Sequence, residues 1–306
     1  MLVIGESIHV ISARVRAALE TRDRRTLQEL AVRQVEGGAH ALDLNIGPQK
    51  KEGAELLPWL VDAVQEVADV QLCLDTTNVA ALEAGLPRCK RQAIINSTDA
   101  TEERMAAMMP LAKKYNARLI ALALAESGLP ATAEDRLDLV LTRILPAAEK
   151  YGLPVGNLYL DPLVLTVNGM QEQAQQTVSA VHYFKQLADP PPETTCGASN
   201  VSNGVPRENR PLINQVFVAM MMGSGISSAI VSALDEELMR IVKVVSSGVA
   251  SSKKDQLYLD LAKAAGVGEE FQVAPELLSD PETRDVAKTI NILYNRQIYA
   301  PSYLTL

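Results

Sequence analysis

Short apolar segments alternate along the chain with longer stretches in which apolar residues recur every three or four positions. The short segments have the continuous hydrophobicity of strands buried on both faces, whereas stretches such as 26–38, 56–68 and 133–152 have the spacing of amphipathic helices. Eight strands are predicted, at residues 2–4, 41–44, 71–75, 92–96, 117–124, 158–161, 194–199 and 227–231. Eight βα units in succession predict a closed (β/α)8 TIM barrel, an α/β fold. An open doubly wound sheet is the alternative, and it is disfavoured because no glycine-rich dinucleotide motif follows the first strand.

Residues 246–285 depart from this alternation. The segment contains SSG and SSKK, which are typical of a linker, then a short predicted helix in DQLYLDLAKAAG, and it is otherwise polar. We predict a single domain over residues 1–306, in which 246–285 is an accessory insertion at the rim of the barrel. A lid or a surface for a partner is the alternative interpretation of this segment. The helical pattern resumes near Val286.

Composition narrows the classes of function. The 306 residues carry a formal net charge of −8, and 4% of them are aromatic. Nucleic-acid binding is not expected, because it needs a basic surface and, for single strands, aromatic residues for base stacking. Cys73, Cys89 and Cys196 are too few and too scattered for a disulfide framework or a zinc site, and no bound metal is expected. The residues MLVIGESIHV lack the pattern of a signal peptide and no apolar run is long enough for a membrane span, so we expect a cytoplasmic protein that does not bind membranes.

Four polar side chains lie where predicted strands end: Asp75, Asn96, Asp161 and Asn200. The carboxyl ends of barrel strands meet at one mouth, so we expect these side chains to surround one site. A carboxylate can accept two parallel N–H donors, and an amide can donate to one ring atom while it accepts from another. Because no Lys or Arg lies beside them, they match a neutral, donor-rich 2-amino-4-oxo-pterin better than a phosphate or a carboxylate.

Ten short motifs extend over about residues 1–240. They are IGESI (4–8), GGAHALDLNIGP (37–48), LCLDTTN (72–78), EAGL (83–86), INST (95–98), LYLDPL (158–163), LADP (187–190), GASNVS (197–202), NRPLIN (209–214) and DEEL (235–238). In this order, and together with the last helix, the chain resembles the methyltetrahydrofolate:corrinoid protein methyltransferases. This pterin-binding TIM-barrel family also includes the folate domain of cobalamin-dependent methionine synthase. Each motif is weak alone, and the set is specific.

The resemblance implies a role for each matching residue. Asp75, Asn96 and Asp161 fall on the positions that anchor the pterin. Asn200 falls on the catalytic asparagine that approaches N5, the folate atom that carries the methyl group. Further implied site residues are Gly197, Ser199 and Ser202 on the wall formed by the seventh strand and, with a less specific match near the mouth, Glu6, Asp43, Asn45, Asn203 and Arg210. The resemblance also implies tetrahydrofolate or methyltetrahydrofolate as substrate, cobalamin carried by a corrinoid protein partner, and a homodimer.

Methyl transfer requires hydrogen bonding at N5. A tertiary amine is a poor leaving group, so N5 has to gain a proton or a hydrogen bond as the C–N bond breaks. The amide of Asn200 can donate to the N5 lone pair as it develops, while the proton comes from solvent. His9, His40 and His182 lie in loops or helices without a carboxylate partner, and we interpret them as structural.

The sequence departs from the corrinoid iron–sulfur protein methyltransferases near the mouth. Asn203 stands in place of a glutamine, Ser7 and His9 stand in place of Arg and Asn, and the loop 204–208 is longer. Because these changes cluster where a corrinoid protein would dock, we expect a different corrinoid partner, for example one that serves O-demethylation or the catabolism of methylamine or betaine.

Two alternative functions stay open. Dihydropteroate synthase uses the same barrel, but it needs a cationic anchor for pterin pyrophosphate, and the seventh strand, TTCGASN, has no lysine. A folate-binding subunit without catalysis is the other alternative. Asn200 argues against it, because binding alone does not need a donor at N5.

Overall fold

In the computed structural model, which describes residues 1–305, eight parallel strands form the predicted barrel. The strands are β1 (Leu2–His9), β2 (Ala41–Asn45), β3 (Gln71–Asp75), β4 (Ile94–Thr98), β5 (Arg118–Leu122), β6 (Leu158–Asp161), β7 (Glu193–Thr194) and β8 (Ser228–Val231). Their hydrogen-bonded order is β7-β6-β5-β4-β3-β2-β1-β8. A bridge between Gly197 and Ile230 joins the two ends, with Ile230 N donating to Cys196 O at 2.8 Å. The predicted (β/α)8 barrel is confirmed.

The seventh strand is shorter than predicted. The strand ends at Thr194, one further bond from Thr195 N to Leu160 O follows at 3.0 Å, and a 3-10 turn at Ala198–Ser202 takes up the end of the predicted strand. In this turn Asn200 N donates to Gly197 O and Asn203 N donates to Asn200 O, each at 3.1 Å. The backbone groups of these residues bond within the segment, so the chain curves over the mouth instead of extending the sheet.

The helices follow the strands in alternation. They are α1 (Ala13–Glu20), α2 (Arg24–Glu36), α3 (Gly53–Gln65), α4 (Val79–Gly85), α5 (Glu102–Lys114), α6 (Ala133–Leu139), α7 (Leu145–Tyr151), α8 (Val167–Met170), α9 (Glu172–Phe184), α10 (Arg210–Gly223), α11 (Glu236–Ser247), α12 (Lys253–Gly266), α13 (Pro275–Ser279) and α14 (Arg284–Leu293). A π-helical turn joins α6 to α7. Within residues 1–305 no helix has the length and hydrophobicity needed to cross a lipid bilayer.

The hydrophobic core has two parts that β-strand geometry separates. Successive side chains of a strand point to opposite faces of the sheet. The outward ones pack against the helices in one large cluster. The inward ones fill the barrel with a small cluster of Ile4, Ala41, Cys73, Ile94, Ile120 and Tyr159. This inner apolar layer closes the barrel below the mouth, so a ligand can enter only from the carboxyl end of the strands.

The segment 246–285 contributes the predicted helix, α12, and the short helix α13. Helix α10 is apolar on nearly all sides, and α12 packs along it with Leu257, Tyr258 and Leu261 buried. The two helices touch closely, since a Cβ on Gly223 would lie 2.1 Å from the carbonyl oxygen of Ala262. The segment therefore covers a core helix of the barrel. Its role as a lid or a partner surface stays a prediction.

Candidate active site

The polar site residues form a layer directly above the apolar interior of the barrel. Residues two apart in one strand share a face. On five strands the inner apolar residue is followed, two positions later, by a polar one. This relation joins Ile4 to Glu6, Ala41 to Asp43, Cys73 to Asp75, Ile94 to Asn96 and Tyr159 to Asp161. The structure therefore brings the predicted site residues of these strands to one mouth.

Two pairs of amide and carboxylate groups connect β2, β3 and β4. Asn45 Nδ2 donates to Asp75 Oδ2, and Asn45 Oδ1 accepts from Gly47 N at 3.0 Å. Asn96 Nδ2 donates to Asp43 Oδ1 at 3.2 Å. The amide nitrogen of Asn96 is directed to a carboxylate, so its oxygen is left to accept from a ligand. Asp43 and Asn45 thus support the two residues that the sequence marks as pterin anchors.

Asp161 lies on β6, opposite β2 across the barrel. Its Oδ1 accepts from the backbone nitrogen of Leu163 at 2.8 Å. Leu163 has a φ of 66°, a left-handed conformation that a branched residue seldom adopts. The turn formed by Asp161, Pro162 and Leu163 is therefore held in an uncommon shape that points one carboxylate oxygen at the chain's own backbone.

Burial dominates the electrostatics of the three aspartates at the mouth. It raises the pKa of Asp75 to about 6 and the pKa of Asp161 to about 7. Burial, and then repulsion from Asp75, raises the pKa of Asp43 well above its usual range. Within residues 1–305 none of the three forms a salt bridge. Poorly solvated carboxyl groups of this kind favour a ligand that brings N–H donors.

A second group of polar residues extends from β1 to the turn after β7. Ser199 Oγ donates to Glu6 Oε2 at 2.7 Å, and Ser202 Oγ donates to Ser199 O at 3.1 Å. Arg210 Nε donates to Ser202 Oγ at 3.2 Å. Burial raises the pKa of Glu6, while the hydrogen bond from Ser199 and the charge of Arg210 lower it. These contacts hold the turn after β7 against β1.

Asn200 and Asn203 are exposed at the rim of this turn. Asn203 Nδ2 donates to Asn200 Oδ1 at 3.1 Å. The oxygen of the Asn200 amide is therefore engaged, and its nitrogen has no acceptor among the described residues. A Cβ on Gly197 would lie 3.0 Å from that nitrogen, so a glycine at this position permits the close approach of the amide. Asn200 Nδ2 is therefore available to donate to a ligand.

The sequence interpretation missed Arg136, whose side chain is fully buried on α6 behind Asp161. Its Nε donates to Pro162 O at 2.6 Å, and its Nη2 donates to Gln173 Oε1 at 2.8 Å. One signal was present in the sequence. Arg136 lies three residues after Ala133 and four before Val140, in the buried phase of an amphipathic helix where an arginine needs an explanation.

Two of the three histidines accept hydrogen bonds from backbone N–H groups. His9 Nδ1 accepts from Ile11 N and His40 Nδ1 accepts from Val3 N, each at 3.0 Å. Over residues 1–305 no three His, Cys, Asp or Glu side chains are grouped in a way that could hold a metal ion.

The sequence of the chain matches a known family. A profile described as pterin binding enzyme matches residues 13–232, which is more than half of the chain. The chain belongs to this family. The methylcorrinoid:tetrahydrofolate methyltransferase of Eubacterium limosum is 25% identical over 270 residues, which cover 88% of this chain and 98% of that protein. The methionine synthase of Mycobacterium leprae is 29% identical over 243 residues, which cover 76% of this chain and 20% of that protein.

Solved structures of the pterin-binding fold extend the comparison. Dihydropteroate synthase from Yersinia pestis superposes with a TM-score of 0.58 at 18% identity, over 80% of this chain and 93% of that chain. The Vibrio fischeri enzyme superposes with a TM-score of 0.59 at 19% identity, over 82% of this chain and 94% of that chain. The likeness to these synthases is one of fold. The sequence relatives confirm the predicted family and favour the methyltransferase interpretation over the synthase alternative.

Proposed function

We propose that this chain is a methyltransferase that moves a methyl group between N5 of a reduced folate and the cobalt of a corrinoid. The observation that carries the proposal is the pairing of two unlike walls at one mouth. Three acceptors on β3, β4 and β6, of which Asp161 is buried and the other two are half-buried, share the mouth with a turn in which the amide nitrogen of Asn200 has no acceptor among the described residues. The direction of transfer depends on the supply of methyl groups.

The acceptor wall suits the pterin head group. Asp75, Asn96 and Asp161 offer oxygens from three strands to the N–H donors of the 2-amino-4-oxo ring, and charge-assisted hydrogen bonds of this kind are about twice as strong as neutral ones. Burial removes water from both aspartates and thereby raises their pKa. The N–H donors of the ring then replace the hydrogen bonds to water that the carboxyl groups have lost. Pterin binding should therefore lower the pKa of these groups and release protons.

Asn200 supplies the donor for the nitrogen that loses or gains the methyl group. The hydrogen bond from Asn203 engages the Asn200 amide oxygen, which supports the assignment of the Asn200 amide nitrogen as the donor. As the C–N bond breaks, charge develops on N5, and the bond donated by Asn200 strengthens. The same donor stabilises the same transition state in the reverse direction. The proton reaches N5 from solvent, to which this turn is exposed.

A corrinoid would supply the cobalt that accepts or donates the methyl group. The chain offers room for it, since Asn200 and Asn203 are exposed at the rim and the barrel is closed only below them. We propose that a separate corrinoid protein carries the cobalamin and docks at this rim, that this chain holds no metal of its own, and that it acts as a homodimer in the cytoplasm.

The decisive experiment is methyl transfer from methyltetrahydrofolate to free cob(I)alamin, followed by the visible absorbance of the corrinoid. We expect transfer by the intact chain and loss of transfer, with folate still bound, in Asn200→Ala. Tight folate binding without transfer in either direction would leave only a folate-binding subunit. Condensation of pterin pyrophosphate with p-aminobenzoate would instead support the synthase.

A further inference from the structure

Arg136 is the largest fully buried side chain of the described residues, and it has no carboxylate in salt-bridge contact. Its guanidinium donates to three neutral oxygens. These are Pro162 O at 2.6 Å, Thr132 O at 3.0 Å and Gln173 Oε1 at 2.8 Å. Burial lowers the pKa of Arg136 to about 10, so the side chain is still charged at neutral pH.

Burying an arginine without a carboxylate partner in a helix interface costs free energy that an apolar side chain of similar size would not cost. Removing a charge from water costs several kcal/mol, and hydrophobic residues of similar volume are often neutral or stabilising at such positions. Packing alone therefore does not account for Arg136. The position of its acceptors explains the buried arginine, because one acceptor is the carbonyl oxygen of Pro162, the residue that directly follows Asp161 in the chain.

The hydrogen bonds around Asp161 form a continuous series. Arg136 Nε donates to Pro162 O, and Leu163 N donates to Asp161 Oδ1 at 2.8 Å. The hydroxyl of Thr177 lies within hydrogen-bond distance of Leu163 O at 3.1 Å and of Gln173 O at 2.9 Å, and it shares its one proton between them. The left-handed backbone of Leu163 is thus held from both sides. A substitution of Arg136 that shifts the carbonyl group of Pro162 would therefore also shift the neighbouring Asp161 carboxylate.

We propose that Arg136 is a positioning residue for pterin recognition: it fixes the turn that presents Asp161 and supplies the positive charge that balances the Asp161 carboxylate. This inference rests on the proposed function only in naming a pterin as the ligand. Asp161 has to be ionised to accept two N–H donors, and a nearby positive charge favours the ionised form.

Few charged groups face this pair. Arg136 and the buried thiol of Cys196 face Asp161, while Asp135 and Asp161 face Arg136. Burial raises the pKa of Cys196 well above neutrality, so the thiol stays uncharged in the range of interest. The neighbouring side chains from α9, Gln173 and Thr177, are neutral. A change in the titration of Asp161 on substitution of Arg136 is therefore attributable to Arg136.

The test measures the dissociation constant of tetrahydrofolate from pH 5.5 to 9 in the intact chain, Arg136→Lys and Arg136→Met. Binding by the intact chain should weaken as the pH falls first through the pKa of Asp161, about 7, and then through that of Asp75, about 6, so the upper midpoint of the profile reports Asp161. We expect Arg136→Met to move the midpoint of this profile up by about 0.5–1 pH unit, within the effect of one nearby charge. Arg136→Lys should retain most of the original midpoint.

Arg118→Met is the matched control. Arg118 is a half-buried arginine at the opposite end of the barrel, where it contacts the hydroxyl of Tyr159, so its loss should leave the midpoint unchanged. A uniform loss of affinity in Arg136→Met with an unchanged midpoint would mean a purely structural role and overturn the proposal. If Arg136→Met does not fold, Arg136→Gln takes its place.

A second measurement does not depend on folate. The carboxyl carbon of Asp161, followed by NMR in the ligand-free chain, reports its titration directly. A pKa that rises in the variant and not in Arg118→Met supports the inference even if folate does not bind, whereas an unchanged pKa removes it. Absence of folate binding by the intact chain would contradict the proposed function instead, so the two failures are distinct.

Discussion

The two walls of the mouth are built in opposite ways. The wall on β2, β3, β4 and β6 consists of buried or half-buried strand residues, in which amide side chains bond to Asp43 and Asp75 and a backbone N–H bonds to Asp161. The wall after β7 is a 3-10 turn with exposed amides, attached to β1 through Ser199 and Glu6. The first wall is the less exposed of the two and is fixed by sheet register, whereas the second presents exposed amides and is fixed by a few side-chain contacts.

This difference matches two different tasks. Recognition of a head group benefits from preorganised acceptors that have already lost their hydration, because the ligand then displaces few favourable hydrogen bonds between these acceptors and water. A bond that has to strengthen during the reaction benefits from a donor that is already oriented toward the atom on which charge develops, and an exposed position lets that atom exchange a proton with solvent. We therefore expect substitutions in the first wall to change affinity, and those in the second to change rate.

Asn200→Ala should give the largest effect. Loss of the donor at N5 should lower the single-turnover rate of methyl transfer by about 10²–10³-fold, the usual range for removal of one preorganised donor. The dissociation constant for methyltetrahydrofolate should change by less than about threefold, because the bond is weak in the ground state. Stopped-flow kinetics and calorimetry on the same preparation measure both. Equal losses in rate and affinity would contradict the proposal that one wall determines affinity and the other determines rate.

Asp161→Ala and Asp75→Ala should have the next largest effect. Each should weaken binding of reduced folate by roughly 2–3 kcal/mol, the range for loss of a hydrogen bond to a charged group. Calorimetry measures this change. Asp69→Ala removes an exposed carboxylate that bonds only to Arg91 and serves as the control, for which we expect no change. An unaltered affinity in both mouth variants would place the pterin elsewhere.

The buried aspartates should also make the ligand-free fold sensitive to pH. Their folded-state pKa values, about 6 for Asp75 and about 7 for Asp161, lie above the unfolded values. Protonation therefore stabilises the fold at low pH, and this contribution is lost as the pH rises through 6 to 7. The free energy of unfolding should fall by on the order of 2 kcal/mol between pH 5 and pH 8.

Denaturant titration at several pH values checks this slope. Asp161→Asn removes the titrating group while keeping its shape, so its stability should vary less with pH and be higher at pH 8 than that of the intact chain. The same variant should bind folate more weakly. A variant that is less stable at every pH would contradict the burial argument for Asp161.

The sequence predicted the first wall better than the second, for a physical reason. Strands buried on both faces have a continuous apolar pattern, and a polar residue at their end is conspicuous, as with Asp75 and Asp161. The amide pairings of Asp43 and Asn45 depend on the register between strands, which a single strand does not encode. Sequence spacing alone could not supply those contacts.

The second wall was predicted through motif similarity and not through pattern. The segment TTCGAS is apolar enough to predict a strand, yet only Glu193–Thr194 pairs as one. Thr195 and Cys196 still bond to β6 and β8, and the residues after Gly197 bond within their own turn. Arg136 was missed because a buried arginine contradicts the helical pattern, and only the tertiary position of Pro162 explains it.

Asn203→Ala should give the smallest effect and the finest test of the comparison. The substitution leaves Asn200 in place but removes the donor that fixes its amide oxygen, so the Asn200 amide can rotate between two orientations. We expect the rate of methyl transfer to fall by about 3–10-fold, since a neutral hydrogen bond contributes roughly 0.5–1.5 kcal/mol, with the affinity for folate unchanged. Asn203→Gln, which can restore the donor, should recover part of the rate. If Asn203→Ala lowers the affinity for folate as well, the turn after β7 takes part in pterin binding. Affinity and rate would then not depend on separate walls.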